Sequence, residues 1–465
     1  MKRFGVYPEL NPLGDSIYFG SQSSSHKEWI LSGRLSEYGR RYQVRMDVSN
    51  EKVIAIFGKR GQGKSFTLGS IIEGMCTSEN HTSISCDANN RAILLFDTLD
   101  IFQWMGVPLN KDWENKSELD RQADLLSGWD IKAEKLMVDV WVPAGYENEV
   151  INQNHRIFKL NIPDLQIDDW GNLLGIDIMR DVMGQYLYEI FHKVTVLGWT
   201  DLNGNYHLGN VNYSLEDLIE CIDNDEDNNK GIFKDDTRRA ILQRIRSFQV
   251  HPLFSHEGTK LSLFLKSGHV TVLLLGRLPD DLRSVLVSVL IRRILKERKI
   301  AAELSKELML NPSISEEEKL SRRKILETAI PKSWIVIDEA QNIVPSGKKT
   351  FASDSIVKLV KEGRNFGISF LVTTQEPSAI DKSVLSQVET FIVHKLVSFS
   401  DIRFVLDNIK SPLPTEIEDD NQKISVEELI LSLSIGQVLI SDTDMPRGFC
   451  MEVRPRISAH GGIEA

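Results

Sequence analysis

The chain has 465 residues, 41% of them hydrophobic and 26% charged, which is an ordinary composition for a folded domain. A single core stops growing at roughly 250–300 residues, so one large domain with insertions, or about two to three modules, is expected. A net charge of −11 excludes a surface that binds nucleic acid everywhere, although a basic channel inside an acidic assembly is still allowed. No window approaches the ~18 consecutive apolar residues of a membrane span. The residues after Met1–Gly5 are polar and lack a signal region, so a cytoplasmic protein without a membrane segment is expected. Cys76, Cys86, Cys221 and Cys450 are scattered, with no CxxC pair; reduced, mostly buried thiols are expected rather than a disulfide framework or zinc site.

Residues 1–50 are rich in Gly, Ser, Tyr and Arg, with short apolar stretches at Ser16–Gly20 and Tyr42–Asp47. They read as a short β-rich N-terminal module, a reduced barrel or sheet packed on the core. Residues 51–109 read as the first part of a nucleotide-binding core. There, strand Lys52–Phe57 enters a glycine-rich turn, and Phe66–Met75 continues as a helix with apolar residues three and four apart. Further apolar runs of strand length stand at Ala92–Phe96, Val270–Gly276, Trp334–Asp338, Ile368–Thr373 and Thr390–Leu396. Such continuous apolar strands predict a mainly parallel sheet covered on both faces. The long helical stretches Asp280–Leu310 and Asp354–Gly363 lie between them, giving the alternation of an α/β fold.

The span 110–265 is too long for a simple crossover and reads as an inserted helical subdomain, with helices at Ile176–Leu197, Ser214–Ile222 and Asp236–Phe248. Residues 266–465 then complete the core and add a C-terminal tail. Within the insertion, Asp223–Gly231 has the look of a calcium loop. It lacks the glycine required at position six (Asn228) and the glutamate required at position twelve (Lys234), so a solvated acidic loop is predicted instead. Residues 311–330 form a charged, exposed connection or helix.

Gly58, Gly63, Lys64 and Ser65 fit the phosphate-loop pattern G-x-x-x-x-G-K-S/T at every fixed position, after a strand and before a helix. Glycines let successive backbone N–H groups turn toward phosphate oxygens, and the following helix adds its positive end. The nucleotide-binding set is therefore Gly58, Lys59, Arg60, Gly61, Gln62, Gly63, Lys64, Ser65 and Phe66. Lys64 is expected to bridge the β- and γ-phosphates, and the Ser65 hydroxyl to ligate Mg²⁺.

Such a loop needs an acidic partner at the end of another buried strand. Trp334–Ile337 delivers Asp338 to the C-terminal edge of the sheet, where ligands bind in open α/β folds. Asp338 is expected to hold Mg²⁺. Glu339, the next residue, can reach the attacking water as a general base. The tandem acid points to ATP hydrolysis, and no guanine-reading Asn-Lys-x-Asp motif is present. The following strand ends at Thr373–Gln375; Gln375 can touch the γ-phosphate or the water, or can simply bond the local backbone. Between the two strands Arg364 stands on a turn flanked by Gly363 and Gly367. An arginine there is either an exposed turn residue or one that crosses a subunit interface to stabilise charge on the transferred phosphoryl group.

Several blocks occur in one order: Phe57–Gly69, Leu95–Leu99, Asp338–Gln341, Lys361–Gly367, Thr374–Ser378, Leu385–Gln387 and Val453–Arg456. Together they resemble the HerA branch of the HerA/FtsK superfamily, over roughly residues 50–460. The resemblance implies a RecA-like ATPase core in a homohexameric ring that pumps double-stranded DNA through its centre. It also implies a partner nuclease or other effector docked on the ring, as in archaea and in bacterial antiphage systems. By the same likeness Arg364 matches the arginine that acts in trans. Two departures stand out. Family members carry a longer N-terminal β-barrel than the stretch before Lys52 offers, and Asp100 stands where glycine is common, which leaves the role of Asp97 open.

For DNA contacts, Lys348 and Lys349 in the loop Pro345–Thr350 are candidates for the inner wall of the ring, because phosphate contacts need only flexible cations; a solvated loop is the alternative. Arg283, Arg292, Arg293 and Arg298, on the helix from Asp280, read as salt-bridging residues. The leading functional reading is an ATP-driven DNA translocase or helicase-type motor. The alternative is an ATP-gated ring scaffold that regulates a bound effector without processive unwinding.

Overall fold

Among the described residues, fourteen strands of one large sheet carry most of the short apolar runs. In chain order they are β1 (Ser16–Phe19), β2 (Trp29–Leu35), β3 (Gln43–Asp47), β4 (Val53–Phe57), β5 (Ser85–Cys86), β6 (Ala92–Asp97), β7 (Val138–Pro143), β8 (Arg156–Phe158), β9 (Val270–Leu274), β10 (Ser333–Ile337), β11 (Ile368–Thr374), β12 (Thr390–Val393), β13 (Gln437–Asp442) and β14 (Phe449–Val453). The computed structural model describes residues 9–21, 25–37, 42–109, 117–134, 136–226, 233–414, 417–419 and 422–461. Across the sheet the order is β1-β3-β2-β14-β13-β12-β4-β11-β10-β6-β9-β7-β8, with β5 paired to β2. The run from β12 through β4, β11, β10, β6, β9 and β7 to β8 is parallel throughout.

Strands β4, β6, β9, β10, β11 and β12 are buried at every position, as the unbroken apolar runs predict. Alternate side chains enter opposite faces, because a strand has a period of two. In β4, Val53, Ala55 and Phe57 join one core cluster while Ile54 and Ile56 join the other. Each fully buried aliphatic or aromatic side chain contributes roughly 1.5–3 kcal/mol. The helix α1 (Lys64–Met75) covers the second face with Leu68, Ile71, Ile72 and Met75.

The helical part of the chain covers the first face. It includes α2 (Ile167–Leu174), α3 (Val182–His192), α4 (Leu215–Asn224), α5 (Asp235–Gln249), α6 (Asp280–Leu310) and α7 (Ser353–Glu362). The arginines of α6 hold neighbouring elements: Arg292 pairs with Asp169, Arg293 with Asp164 at 2.8 Å, and Arg298 donates to the carbonyls of Phe366 and Ile330 at 2.9 and 2.8 Å. Arg283 donates to the carbonyls of Leu275 and Leu278.

Two features depart from the reading of the sequence. Residues 1–50 supply β1–β3, which extend the main sheet through the antiparallel pairing of β2 with β14, rather than closing a reduced barrel. In the span 110–265, residues 138–158 supply β7 and β8 to the parallel sheet, and the main helices follow from Ile167. The sequence hides β7 because its first two residues, Val138 and Asp139, are only half-buried, and Asp139 breaks the apolar run. The acidic loop has Asp223 on Arg246 at 2.7 Å and Asp225 on Lys193 at 2.6 Å; residues 227–232 of this segment lie outside the described residues. Cys86 sits 3.2 Å from His81 Nδ1 and beside Asp87, a grouping that sequence spacing does not announce. No helix among the described residues is long and apolar enough to cross a membrane.

Candidate active site

The loop between β4 and α1 is stretched over its neighbours by backbone hydrogen bonds. Gly58 N–H donates to the Thr374 carbonyl at 3.3 Å and Lys59 N–H to the Lys395 carbonyl at 3.1 Å. Gly63 has φ +95°, a left-handed conformation that disfavours a side chain. A Cβ on Gly58 would lie 2.6 Å from the Cβ of His394, so only glycine fits there. No side chain caps the first turn of α1. Its orphan N–H groups are left for an anion, and Lys59, Arg60 and Gly61 are exposed around them.

His394, at the end of β12, is fully buried beneath this loop and shares a hydrogen bond with Thr67 Oγ1 at 3.0 Å. Burial first, and the Lys64 charge second, push its pKa down to about 3, so the imidazole is neutral. Sequence reasoning missed His394 because it reads there as one more residue of a buried strand.

Lys64 and the two acids meet across the sheet. Asp338 and Glu339 follow β10, and β11 separates β10 from β4. Lys64 Nζ lies 3.6 Å from Glu339 Oε1, with only 4% of the lysine side chain exposed. Burial lowers the Lys64 pKa, and the opposing charges of Glu339 and Asp338 partly offset it. The Glu339 carboxylate accepts from Gln375 Nε2 at 2.7 Å on one oxygen and from Gln341 Nε2 at 2.9 Å on the other. The Gln375 backbone N–H reaches the second oxygen at 3.3 Å. Glu339 has φ +51°, a conformation that is costly for a residue with a side chain and is concentrated at functional sites. Thr373, unassigned from sequence, braces the pair: its hydroxyl donates to Asp338 Oδ1 at 2.5 Å and accepts from Glu339 N–H at 3.0 Å.

Asp338 is wholly buried, and among the described residues its Oδ2 has no hydrogen-bond partner. Burial, and then the neighbouring Glu339 charge, raise its pKa to about 6 against the hydrogen bond from Thr373. An orphaned carboxylate oxygen next to the phosphate loop fits a divalent cation or its water. With Mg²⁺ and nucleotide bound, Asp338 and Ser65 would hold the ion, which neutralises charge on the phosphates.

Asp97, on the neighbouring strand β6, has a structural place. It accepts from Leu99 N–H at 3.2 Å and Phe102 N–H at 2.7 Å, closing the turn after the strand. Burial and the Asp338 charge push its pKa up to about 8. Thr98 donates to the Asp338 carbonyl at 3.0 Å. Asp100, in the position where glycine was expected, adopts φ +56° and pairs with Arg277 at 3.3 Å.

Arg364 is not part of this cluster. It precedes β11, whereas Gln375 follows it; seven residues at 3.3 Å each separate the two by roughly 20 Å. Arg364 therefore lies at the N-terminal edge of the parallel sheet, half-exposed and paired with Glu389. Lys348 and Lys349 lie on the exposed loop after β10, and Lys349 pairs with Asp354 at 2.9 Å.

The C-terminal tail braces α1. Glu73 is wholly buried and accepts from Arg454 Nη1 and Arg456 Nε, both at 3.0 Å, as well as from Ser458 Oγ at 2.6 Å and the backbone of Ile457 and Ser458 at 3.1 Å. Burial opposes its charge, but the two guanidinium groups prevail and its pKa is lowered.

The chain is similar to several known proteins. The DNA double-strand break repair helicase HerA of Sulfurisphaera tokodaii is 25% identical over 306 residues, which is 63% of this chain and 54% of that protein. The Pyrococcus furiosus protein of the same name is 23% identical over 306 residues, 60% of this chain and 53% of its own. The matched region thus spans about half the length of these relatives. Among solved structures, VirB4 of Thermoanaerobacter pseudethanolicus is similar at 12% identity with a TM-score of 0.48, over 91% of this chain and 96% of that one. The family described as "Helicase HerA, central domain" matches residues 32–294. This is more than half of the chain, and the protein belongs to that family.

Proposed function

We propose that this protein is an ATP-hydrolysing motor that moves double-stranded DNA through a homohexameric ring and powers or activates a partner nuclease or other effector. The observation that carries this reading is the split between the two sheet edges. Lys64, Asp338 and Glu339 lie buried together at one edge, and the half-exposed Arg364 lies at the other. In a ring of head-to-tail contacts, one protomer's Arg364 can meet the nucleotide of the next. The names of the HerA relatives, DNA double-strand break repair helicases, support DNA as the track.

In this reading Lys64 binds the β- and γ-phosphates, displacing its contact with Glu339. Glu339 then takes the proton of the attacking water. Gln375 and Gln341 hold the carboxylate in one orientation, and Thr373 fixes Asp338 relative to it. Gln375, bonded to Glu339 by both its side chain and its backbone, changes partners when a γ-phosphate arrives and so reports nucleotide state. Lys348 and Lys349 line the channel and contact phosphates without reading sequence.

The test is ATP turnover with and without linear double-stranded DNA, repeated with Lys348→Ala combined with Lys349→Ala. The motor reading expects DNA to raise turnover and the double substitution to remove that rise while leaving DNA-free turnover intact. Turnover that ignores DNA would defeat the motor reading and leave the ATP-gated scaffold.

A further inference from the structure

At the N-terminal edge of the parallel sheet a polar groove of about 700 Å³ opens beside Arg364, lined by Lys52, Lys361, Gln387, Glu389 and Asp444 among others. Glu389 opens β12 and has its backbone fixed on both sides: its N–H donates to the Val53 carbonyl at 2.9 Å and its carbonyl accepts from Thr443 N–H at 3.2 Å. The turn that carries Arg364 is pinned as well, since Arg298 holds the Phe366 carbonyl at 2.9 Å and Gly367 N–H donates to the Arg364 carbonyl at 3.3 Å. Between these two fixed backbones Glu389 Oε1 accepts from Arg364 Nη1. The guanidinium is thus anchored by one nitrogen, and among the described residues its Nε and Nη2 have no hydrogen-bond partner. An arginine presents a rigid fork of five donors. Fixing one arm from the side sets the direction of the remaining donors, at a half-exposed position that its own nucleotide cannot reach.

We infer that Glu389 is a positioning residue that holds Arg364 ready to engage the nucleotide of the neighbouring protomer. This rests on the trans role of Arg364 proposed above. The same strand reaches the phosphate loop of its own protomer at the other end, through His394 and Thr67. β12 therefore joins a protomer's own nucleotide site to the groove that presents its arginine.

The test uses the full chain as assembled. Glu389→Gln keeps the shape of the side chain and removes the charge. Its kcat for ATP is expected to fall about ten- to a hundredfold with KM within about a factor of two, as when a group acting in the transition state is misplaced. Mixing Glu389→Gln with Lys64→Ala protomers should restore part of the turnover, because the second variant carries an intact Arg364–Glu389 pair beside the first variant's intact phosphate loop. Adding Glu389→Gln to Arg364→Ala should cost nothing further. Wild-type kcat in Glu389→Gln, no recovery on mixing, or an additive double variant would each overturn the inference. If Arg364→Ala loses turnover while Glu389→Gln does not, the trans arginine stands and only the role of Glu389 fails. A fully active Arg364→Ala would remove both.

Discussion

The two edges of the parallel sheet handle charge in opposite ways. At the C-terminal edge, Lys64, Asp338 and Glu339 are nearly sealed from water, and each carboxylate oxygen except Asp338 Oδ2 has a fixed partner. At the N-terminal edge, Arg364 and Glu389 meet in an open groove, with the arginine half-exposed. Buried charges interact strongly and are costly to leave unpaired, whereas an exposed pair contributes only about 0–1 kcal/mol to stability. The first edge is organised to stabilise charge on a ligand already enclosed. The second is stable without any ligand and keeps donors free, which suits the proposed trans role of Arg364. On the proposed reading, the difference teaches that each enclosed cluster is completed by an arginine from a second protomer.

Four substitutions probe this contrast, in descending order of effect. Glu339→Gln removes the proposed general base, and turnover should fall by about 10²–10⁴-fold while nucleotide binding persists, measured by ATP hydrolysis beside a binding titration; normal turnover would remove Glu339 from its role. Arg364→Ala should cost on the order of 10³-fold in kcat, although it lies at the far edge from the phosphate loop. Glu73→Ala leaves the buried Arg454 and Arg456 without their carboxylate, a loss of roughly 3–5 kcal/mol visible as a lower melting temperature. Glu389→Gln, in contrast, should shift stability by less than about 1 kcal/mol. If the Glu73 and Glu389 variants melted alike, the contrast between a sealed and an open ion pair would be wrong.

Much of the C-terminal edge is legible in the sequence because its residues sit at the ends of buried apolar strands. A strand such as Trp334–Ile337 announces both its burial and the edge to which it delivers Asp338 and Glu339. Gln375 is legible for the same reason. Thr373 and His394 are not, since a hydroxyl or an imidazole inside an apolar run gives no sign of what lies across the sheet. The pairing of Arg364 with Glu389 is hidden too: they are 25 residues apart and meet only because β11 and β12 flank β4 in parallel. Strands β7 and β8 escaped because sheet edges tolerate polar positions, and the antiparallel β13, β14 and β2 because their pairings join the two ends of the chain.

The most direct test of a divided active site is ATP turnover in mixed assemblies of Arg364→Ala and Lys64→Ala protomers. Each variant alone should be nearly inactive. Mixing should restore a measurable fraction, because some interfaces then combine an intact phosphate loop from one protomer with an intact arginine from the next. Mixed assemblies as inactive as either parent would contradict the division of the site between protomers.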